Sequence, residues 1–160
     1  MNTLVEPVLK QEQLNVLVVG NNPIELSSML NKIGHLPGRI VQTETAFDAR
    51  SIIDRLLRFR PNFILIDDNI GQHELSHTVY VLAHNRKTKN VPITVLKNSN
   101  YTEASASPSV MDYILKGTLT AEALYASIRN SIKIRRTQVY LMKAYKKRKG
   151  LLLDLMWKNN

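Results

Sequence analysis

The sequence contains no cysteine, which excludes disulfide bonds and thiolate metal sites. It also lacks any apolar run close to the length of about 20 residues that a membrane-spanning helix needs. Residues 1–14 carry Glu6, Lys10 and Glu12 among apolar positions, which is not the pattern of a secretory signal peptide. A glycine-rich phosphate-binding loop and a Ser-His-Asp motif are absent too. We therefore expect a soluble, cytoplasmic protein without enzymatic activity.

The charge is distributed unevenly along a chain of ordinary globular composition. The 160 residues are 44% hydrophobic and 22% charged, which suits one domain with a proper core. Residues 1–117 hold 12 Lys/Arg and 11 Asp/Glu, a net charge of +1. Residues 118–160 hold 10 Lys/Arg and 2 Asp/Glu, a net charge of +8. An acidic partner is therefore expected at the carboxyl-terminal tail rather than on the body.

Short apolar runs alternate with helical patterns along the body. The predicted strands are residues 15–19, 39–43, 63–66, 92–96 and 111–115. Helical patterns separate the first four strands, and a long helix is predicted to begin near Thr120, whose side chain can cap it. This order predicts an α/β fold with a five-stranded, parallel, doubly wound sheet. In such folds, functional groups gather at the carboxyl ends of the strands.

Local signals define the predicted helices. Asn22 and Pro23 are typical of an N-cap and a first helical position, and Glu25 is placed to complete a capping-box-like arrangement. Gly34 suits the end of that helix. The third helix is predicted over residues 72–87. The second helix is marked by its apolar positions, which are Ala46, Ala49, Ile53, Leu56 and Leu57.

Three motifs, in this order and spacing, resemble the receiver domains of bacterial response regulators. Residues 18–23 are similar to the strand end that carries two adjacent acids in that family. Residues 63–69 resemble the strand that ends in the phosphoacceptor aspartate. Residues 112–117 resemble the fifth strand, in which an aromatic switch residue precedes a lysine by three positions. The resemblance covers about residues 14–136 and implies the receiver, or flavodoxin-like, fold.

The resemblance also implies a pocket, which this sequence alters. Asp67 stands at the phosphoacceptor position, and Asn69 would supply the backbone carbonyl that helps to hold Mg²⁺ in the family. The acid pair is replaced by Gly20 and Asn21. Glycine offers no side-chain ligand and asparagine only a neutral oxygen, whereas Mg²⁺ prefers anionic oxygens. We therefore expect no cofactor, with Mg²⁺ binding lost or weak.

Two lysines are expected near Asp67. Lys116 is the family's lysine, and Lys97 stands where the family has Thr or Ser. The pocket would then hold an ion pair or triad without a metal, which would lower the pKa of Asp67 through opposite charge. The alternative is that Lys97 extends into solvent from the strand end. The sequence leaves both readings open.

The output face of the family is also altered. Residues 98–108 are poor in helix formers and end in a proline, so a loop or single turn is expected where the family has its fourth helix. Tyr113, at the switch position, is therefore expected to be a packed core aromatic rather than a working switch. His73, His77 and His84 are spaced to share a helix face, but solvated side chains are favoured over a zinc site.

The tail predicts a long basic helix. We divide the chain into an N-terminal extension (1–13), a receiver-like domain (14–120) and an extended basic helix or linker (121–160). Residues 127–136 are similar to the linker of receivers that precede further signalling domains. A four-three apolar spacing predicts a homodimer helix. Its residues are Ile128, Ile132, Val139 and Met142, and the basic tail comprises Lys143, Lys146, Lys147, Arg148 and Lys149.

These features predict an atypical receiver, or pseudo-receiver. It would act without phosphorylation as a signalling, protein-interaction and dimerisation module in a two-component-type pathway. The alternative is a protein that binds nucleic acid or an anionic membrane through its basic tail, with the receiver body as a scaffold.

Overall fold

The computed structural model describes residues 13–36, 40–98 and 107–159. Five strands and four α-helices alternate through these residues. They are β1 (Leu14–Val19), α1 (Pro23–Gly34), β2 (Val41–Ala46), α2 (Ala49–Leu56), β3 (Phe63–Asp67), α3 (Gln72–His84), β4 (Ile93–Lys97), β5 (Asp112–Leu115) and α4 (Ala121–Lys158). Two single 3₁₀ turns follow β3 and β5, at Asp68–Ile70 and Lys116–Thr118.

All five strands pair in parallel, in the order β2-β1-β3-β4-β5. The central strands β1 and β3 are almost wholly buried, because helices cover both faces of the sheet. Helices α1 and α4 enclose one apolar cluster and α2 and α3 the other. The predicted five-stranded, doubly wound α/β fold is confirmed, and the carboxyl ends of β1, β3, β4 and β5 meet at one edge of the sheet.

The second helix begins later than the sequence pattern predicts. The Asp48 side chain accepts a hydrogen bond from the Ser51 amide (2.7 Å), and the Ser51 hydroxyl accepts one from the Asp48 amide (3.0 Å). This capping box starts the helix at Ala49, so Ala46 ends β2 instead of entering the helix. The residues that pack into the core are then Ile52 and Leu56. The predicted inward positions Ile53 and Leu57 are exposed, so this part of the prediction was wrong.

Helix α4 is the long carboxyl-terminal helix that the sequence predicts, and its two parts have different surroundings. The Thr120 hydroxyl accepts a hydrogen bond from the Ala123 amide (3.1 Å) and caps the helix, as expected. Its 38 residues span about 57 Å and lie within the predicted range 121–160. The first three turns pack on the sheet, where Leu124 is fully buried. Beyond about Lys143 the side chains are almost all exposed.

This packing corrects the predicted dimer seam. Ile128 is only 2% exposed and belongs to the intramolecular core, and Ile132 packs against the same cluster. Val139 is half-buried and Met142 is exposed. A four-three spacing also fits a helix that covers its own sheet, and the first two positions of the proposed seam do that. Ile128 is therefore not available to a second chain, and Ile132 is only partly so.

Candidate functional site

Asp67 lies at the carboxyl end of β3 with its side chain 1% exposed. Its Oδ1 accepts a hydrogen bond from the Asn69 amide at 2.9 Å, which begins the following 3₁₀ turn. Lys116, just after β5, places its Nζ 2.5 Å from the same oxygen. Within the described residues, Asp67 Oδ2 is buried without a hydrogen-bond partner. One oxygen of Asp67 thus accepts from two donors, and the other is buried without a donor in the described residues.

Lys116 bridges this carboxylate to a second one. Its Nζ lies 2.6 Å from Oε2 of Glu25, in the first turn of α1. The side-chain amide of Asn69 also donates to Glu25 Oε2. We call this group, Glu25, Asp67, Asn69 and Lys116, the carboxylate–lysine cluster. It joins α1, β3 and the end of β5 across the edge of the sheet.

The sequence predicted a different role for Glu25, as part of a capping box. The Asn22 side chain caps α1 by accepting from the amides of Ile24 (3.0 Å) and Glu25 (3.3 Å). The Glu25 carboxylate does not turn back to the cap but faces Lys116, so the capping-box expectation was wrong. A signal was present, because the first turn of a helix that follows β1 adjoins the strand ends where the site was predicted.

The titration of the cluster differs from the expectation for Asp67. Burial raises the pKa of Asp67, although the hydrogen bonds from Lys116 and the Asn69 amide act in the opposite direction. The expected lowering of this pKa was therefore wrong. The hydrogen bond from Lys116 instead lowers the pKa of Glu25, which lies at the more exposed rim. Burial works against the charged form of Lys116, but its contacts with Asp67 and Glu25 outweigh this, and the pKa of Lys116 is raised.

The positions of the family's acid pair are filled in another way. A Cβ added to Gly20 would meet Cδ2 of Leu26 at 2.9 Å and Cβ of Asp67 at 3.4 Å. A side chain of α1 therefore takes the space that an acid at position 20 would need. Asn21 lies with its Nδ2 3.5 Å from the Asn69 carbonyl oxygen, a distance that allows only a weak hydrogen bond.

These contacts do not fit a magnesium ion. The acid pair is absent at Gly20 and Asn21, and one oxygen of the remaining carboxylate, Asp67 Oδ1, is paired with the Lys116 ammonium. Where the Asn69 carbonyl would act as a ligand, an amide N–H of Asn21 faces it. A cation and donor groups repel a metal ion that seeks anionic oxygens. Across the described ranges, no group of three His, Asp or Glu side chains is placed to hold a metal.

Lys97 turns away from this cluster. Its Nζ lies 5.2 Å from the centre of the Tyr113 ring, at cation–π distance. In the part of the chain that the structure describes, Lys116 is the cation paired with Asp67, so the triad with Lys97 does not form. Tyr113 packs against the cluster beneath α2 and α3, and its hydroxyl accepts a hydrogen bond from the Ser107 amide (3.1 Å). The predicted loop at 98–108 lies mostly outside the described residues.

Comparisons with known proteins give the fold a name. No family model and no curated protein matches the sequence. Among solved structures, the receiver domain of the sensor histidine kinase PA1611 from Pseudomonas aeruginosa, with magnesium in its cleft, is 16% identical, with a TM-score of 0.62 over 76% of this chain and 99% of that one. The N-terminal domain of a response regulator/sensory box/GGDEF protein from Carboxydothermus hydrogenoformans is 15% identical (TM-score 0.61, 78% and 98%). The chemotaxis response regulator CheY4 of Vibrio cholerae is 20% identical (TM-score 0.58, 75% and 99%).

The chain has the receiver fold. On that fold, Gly20, Asn21, Asp67, Asn69 and Lys116 lie close together, and Glu25 joins them. The structure separates Lys97 and Tyr113 from this group and pairs them with each other. The basic tail lies far along α4, and no helix in the described residues is long and apolar enough to cross a membrane.

Proposed function

We propose that this chain is a pseudo-receiver, a signalling module that contacts protein partners without phosphorylation of Asp67. The bridge that Lys116 forms between Asp67 and Glu25 carries the proposal. In the receiver family, a metal ion shields the incoming phosphoryl group from the carboxylate that it must bond to. Here Lys116 ties that carboxylate to Glu25 of α1, and Gly20 and Asn21 replace the acid pair that would hold a metal. The cluster therefore holds the strand ends in one state.

Access to Asp67 supports the same conclusion. A phosphoryl transfer needs an aspartate oxygen to reach the donor's phosphorus in line with the leaving group. Asp67 Oδ1 accepts from two donors, and Oδ2 is buried. Freeing either oxygen requires breaking the ion pair or opening the turn at Asn69. Gly20 and Asn21 provide no anionic metal ligand that would assist either step.

The direct test is incubation of the chain with acetyl phosphate and Mg²⁺. We expect the intact mass to stay unchanged, because the oxygens of Asp67 are paired or buried and Gly20 and Asn21 offer no acid pair to hold Mg²⁺. An Asp67→Asn variant, treated in parallel, identifies any labelling at other residues. An acid-labile phosphate adduct on the wild type that is absent from the variant would refute the proposal.

Restoring the acid pair is expected to restore metal binding. The variant Gly20→Asp with Asn21→Asp, also carrying Glu25→Gln so that Lys116 is no longer shared, returns anionic ligands to the strand ends. The buried side chain of Leu26 must shift to admit the new side chain at position 20. Calorimetric titration should show Mg²⁺ affinity at least about tenfold above the wild type. Measurable Mg²⁺ binding by the wild type, as tight as that of the variant, would show that the wild-type pocket is already a metal site.

Self-association through α4 remains a prediction, on a shorter seam than the sequence suggested. Ile128 and Ile132 pack against the body, so Val139 and Met142 are the predicted seam positions left to a second chain. Burial of two side chains contributes too little free energy to offset the cost of association. We therefore expect the receiver body to bind partner proteins rather than a second copy of the chain.

A further inference from the structure

The distal part of α4, residues 141–158, leaves large apolar side chains in water. Trp157 is 78% exposed, and none of its neighbours packs on the body. The exposed set comprises Leu141, Met142, Tyr145, Leu151, Leu152, Leu153, Leu155, Met156 and Trp157. A contiguous apolar surface of this kind marks an interaction site. The receiver body does not cover it, because its contacts with α4 end near Lys143.

The same segment carries a strong positive charge. Between Lys143 and Lys158 there are six Lys/Arg and the single acid Asp154, a net charge of +5. All six cations are exposed. The described residues show no ion pair at any of them. A partner that complements this segment must therefore offer negative charge and an apolar interior at the same place.

The helix separates the two kinds of side chain in part. At 100° per residue, Leu141, Tyr145, Leu152 and Met156 fall within about 60° of one another. The polar group Lys143, Lys147, Asp154 and Lys158 falls within a similar arc, centred about 160° away. Arg148 and Lys149 lie along the apolar side, where long side chains can extend to headgroups. The last turns, from Leu151 to Trp157, are apolar around almost the whole helix.

We propose that residues 141–158 of α4 dock on the surface of an anionic phospholipid bilayer. The apolar arc would enter the boundary between headgroups and acyl chains while the cations meet lipid phosphates. Such a helix lies in the interface and does not span it, in agreement with the absence of a spanning helix from the described residues. This goes beyond the pseudo-receiver proposal, because it gives the body a location and does not depend on the state of Asp67.

Two other occupants fit less well. A second copy in register would place five cations, Lys143 and 146–149, opposite five like charges, without acids to compensate them. A nucleic acid would neutralise the cations but leave the apolar residues beyond Gly150 in water, since phosphate contacts use charge alone. An anionic bilayer satisfies both halves of the segment.

The single tryptophan of the chain is a built-in reporter. The full chain would be mixed with vesicles of phosphatidylcholine alone, or with about a third of phosphatidylglycerol. We expect flotation with the anionic vesicles, a blue shift of Trp157 emission, and affinity at least about tenfold weaker for the neutral vesicles. Absence of flotation and of the blue shift with anionic vesicles would overturn the proposal.

Variants separate charge from apolar contact. Replacing Lys146, Lys147, Arg148 and Lys149 by Gln should weaken binding on the order of 100-fold. The matched control removes four exposed body cations, Arg50→Gln, Arg58→Gln, Arg86→Gln and Lys89→Gln, and should bind like the wild type. Leu152→Gln with Met156→Gln should abolish the blue shift. If the two fourfold variants bind alike, or if the chain retains duplex DNA or sediments as a dimer but does not float, the proposal is wrong.

Discussion

Lys116→Met is expected to destabilise the folded chain by about 2–4 kcal/mol at neutral pH. The variant removes the one cation that contacts Asp67 in the described structure and leaves a carboxylate that is 1% exposed without a counter-charge. Loss of one partner from a buried pair costs more than the pair contributes, because the remaining charge stays desolvated. Lys116 itself is 18% exposed, which places the expected cost below that of a fully buried pair. Urea unfolding, with Lys89→Met as an exposed control, measures it.

Two further measurements assign this loss to Asp67. The double variant Asp67→Asn with Lys116→Met should recover a large part of the lost stability, because no charge is then left buried. Without Lys116, burial raises the pKa of Asp67 further above its unfolded value, so the folded state gains relative stability as the carboxylate becomes protonated. The deficit of Lys116→Met should therefore shrink as the pH falls through the raised folded value towards the unfolded value, and grow as the pH rises. A deficit that is independent of pH and equal in the double variant would show that Lys116 acts by packing alone.

The strands and the position of Asp67 were predictable because both depend on local patterns. Phe63–Asp67 is a short, unbroken apolar run that ends in an acid, and only a central strand buries such a run on both faces. The position of Lys116 followed from the motif around it. Parallel pairing then required these strand ends to meet, so the cluster's location could be derived before its contacts were known.

Glu25 and Lys97 show where the sequence was insufficient. Glu25 satisfies a local capping rule, and a long-range ion pair 91 residues away in the chain overrides it. Lys97 sits beside the pocket in sequence, but the position of Tyr113 on the adjacent strand β5 gives its ammonium an aromatic face instead. Both outcomes depend on side-chain directions between distant elements, and residue spacing does not encode them.

The apolar stripe of α4 was ambiguous for a related reason. A four-three spacing describes a coiled-coil seam and also the face of a helix that packs on its own sheet. The sequence contains the stripe but does not specify the surface that covers it. In the structure, Leu124 and Ile128 pack on the β-sheet, while Ile134, on another side of the helix, is exposed.

Ile128→Ala is therefore expected to cost about 2–4 kcal/mol of folding stability, and Ile134→Ala less than about 1 kcal/mol. Both variants shorten the same side chain in the same helix, so helix propensity changes equally and burial is the remaining difference. Ile128 is 2% exposed and Ile134 is 47% exposed. Chemical unfolding of the two variants beside the wild type gives the comparison.

The concentration dependence of unfolding decides whether this burial is intramolecular. If Ile128 belongs to the core of one chain, the loss in Ile128→Ala is the same at low and high protein concentration, because unfolding is then unimolecular. If Ile128 instead formed a seam between two chains, the wild-type Tm would rise with concentration and the variant would lose that rise. Ile134→Ala reports whether the exposed side of the helix contributes to any such rise. A concentration-dependent Tm that only Ile128→Ala removes would contradict the packing of α4 on its own sheet.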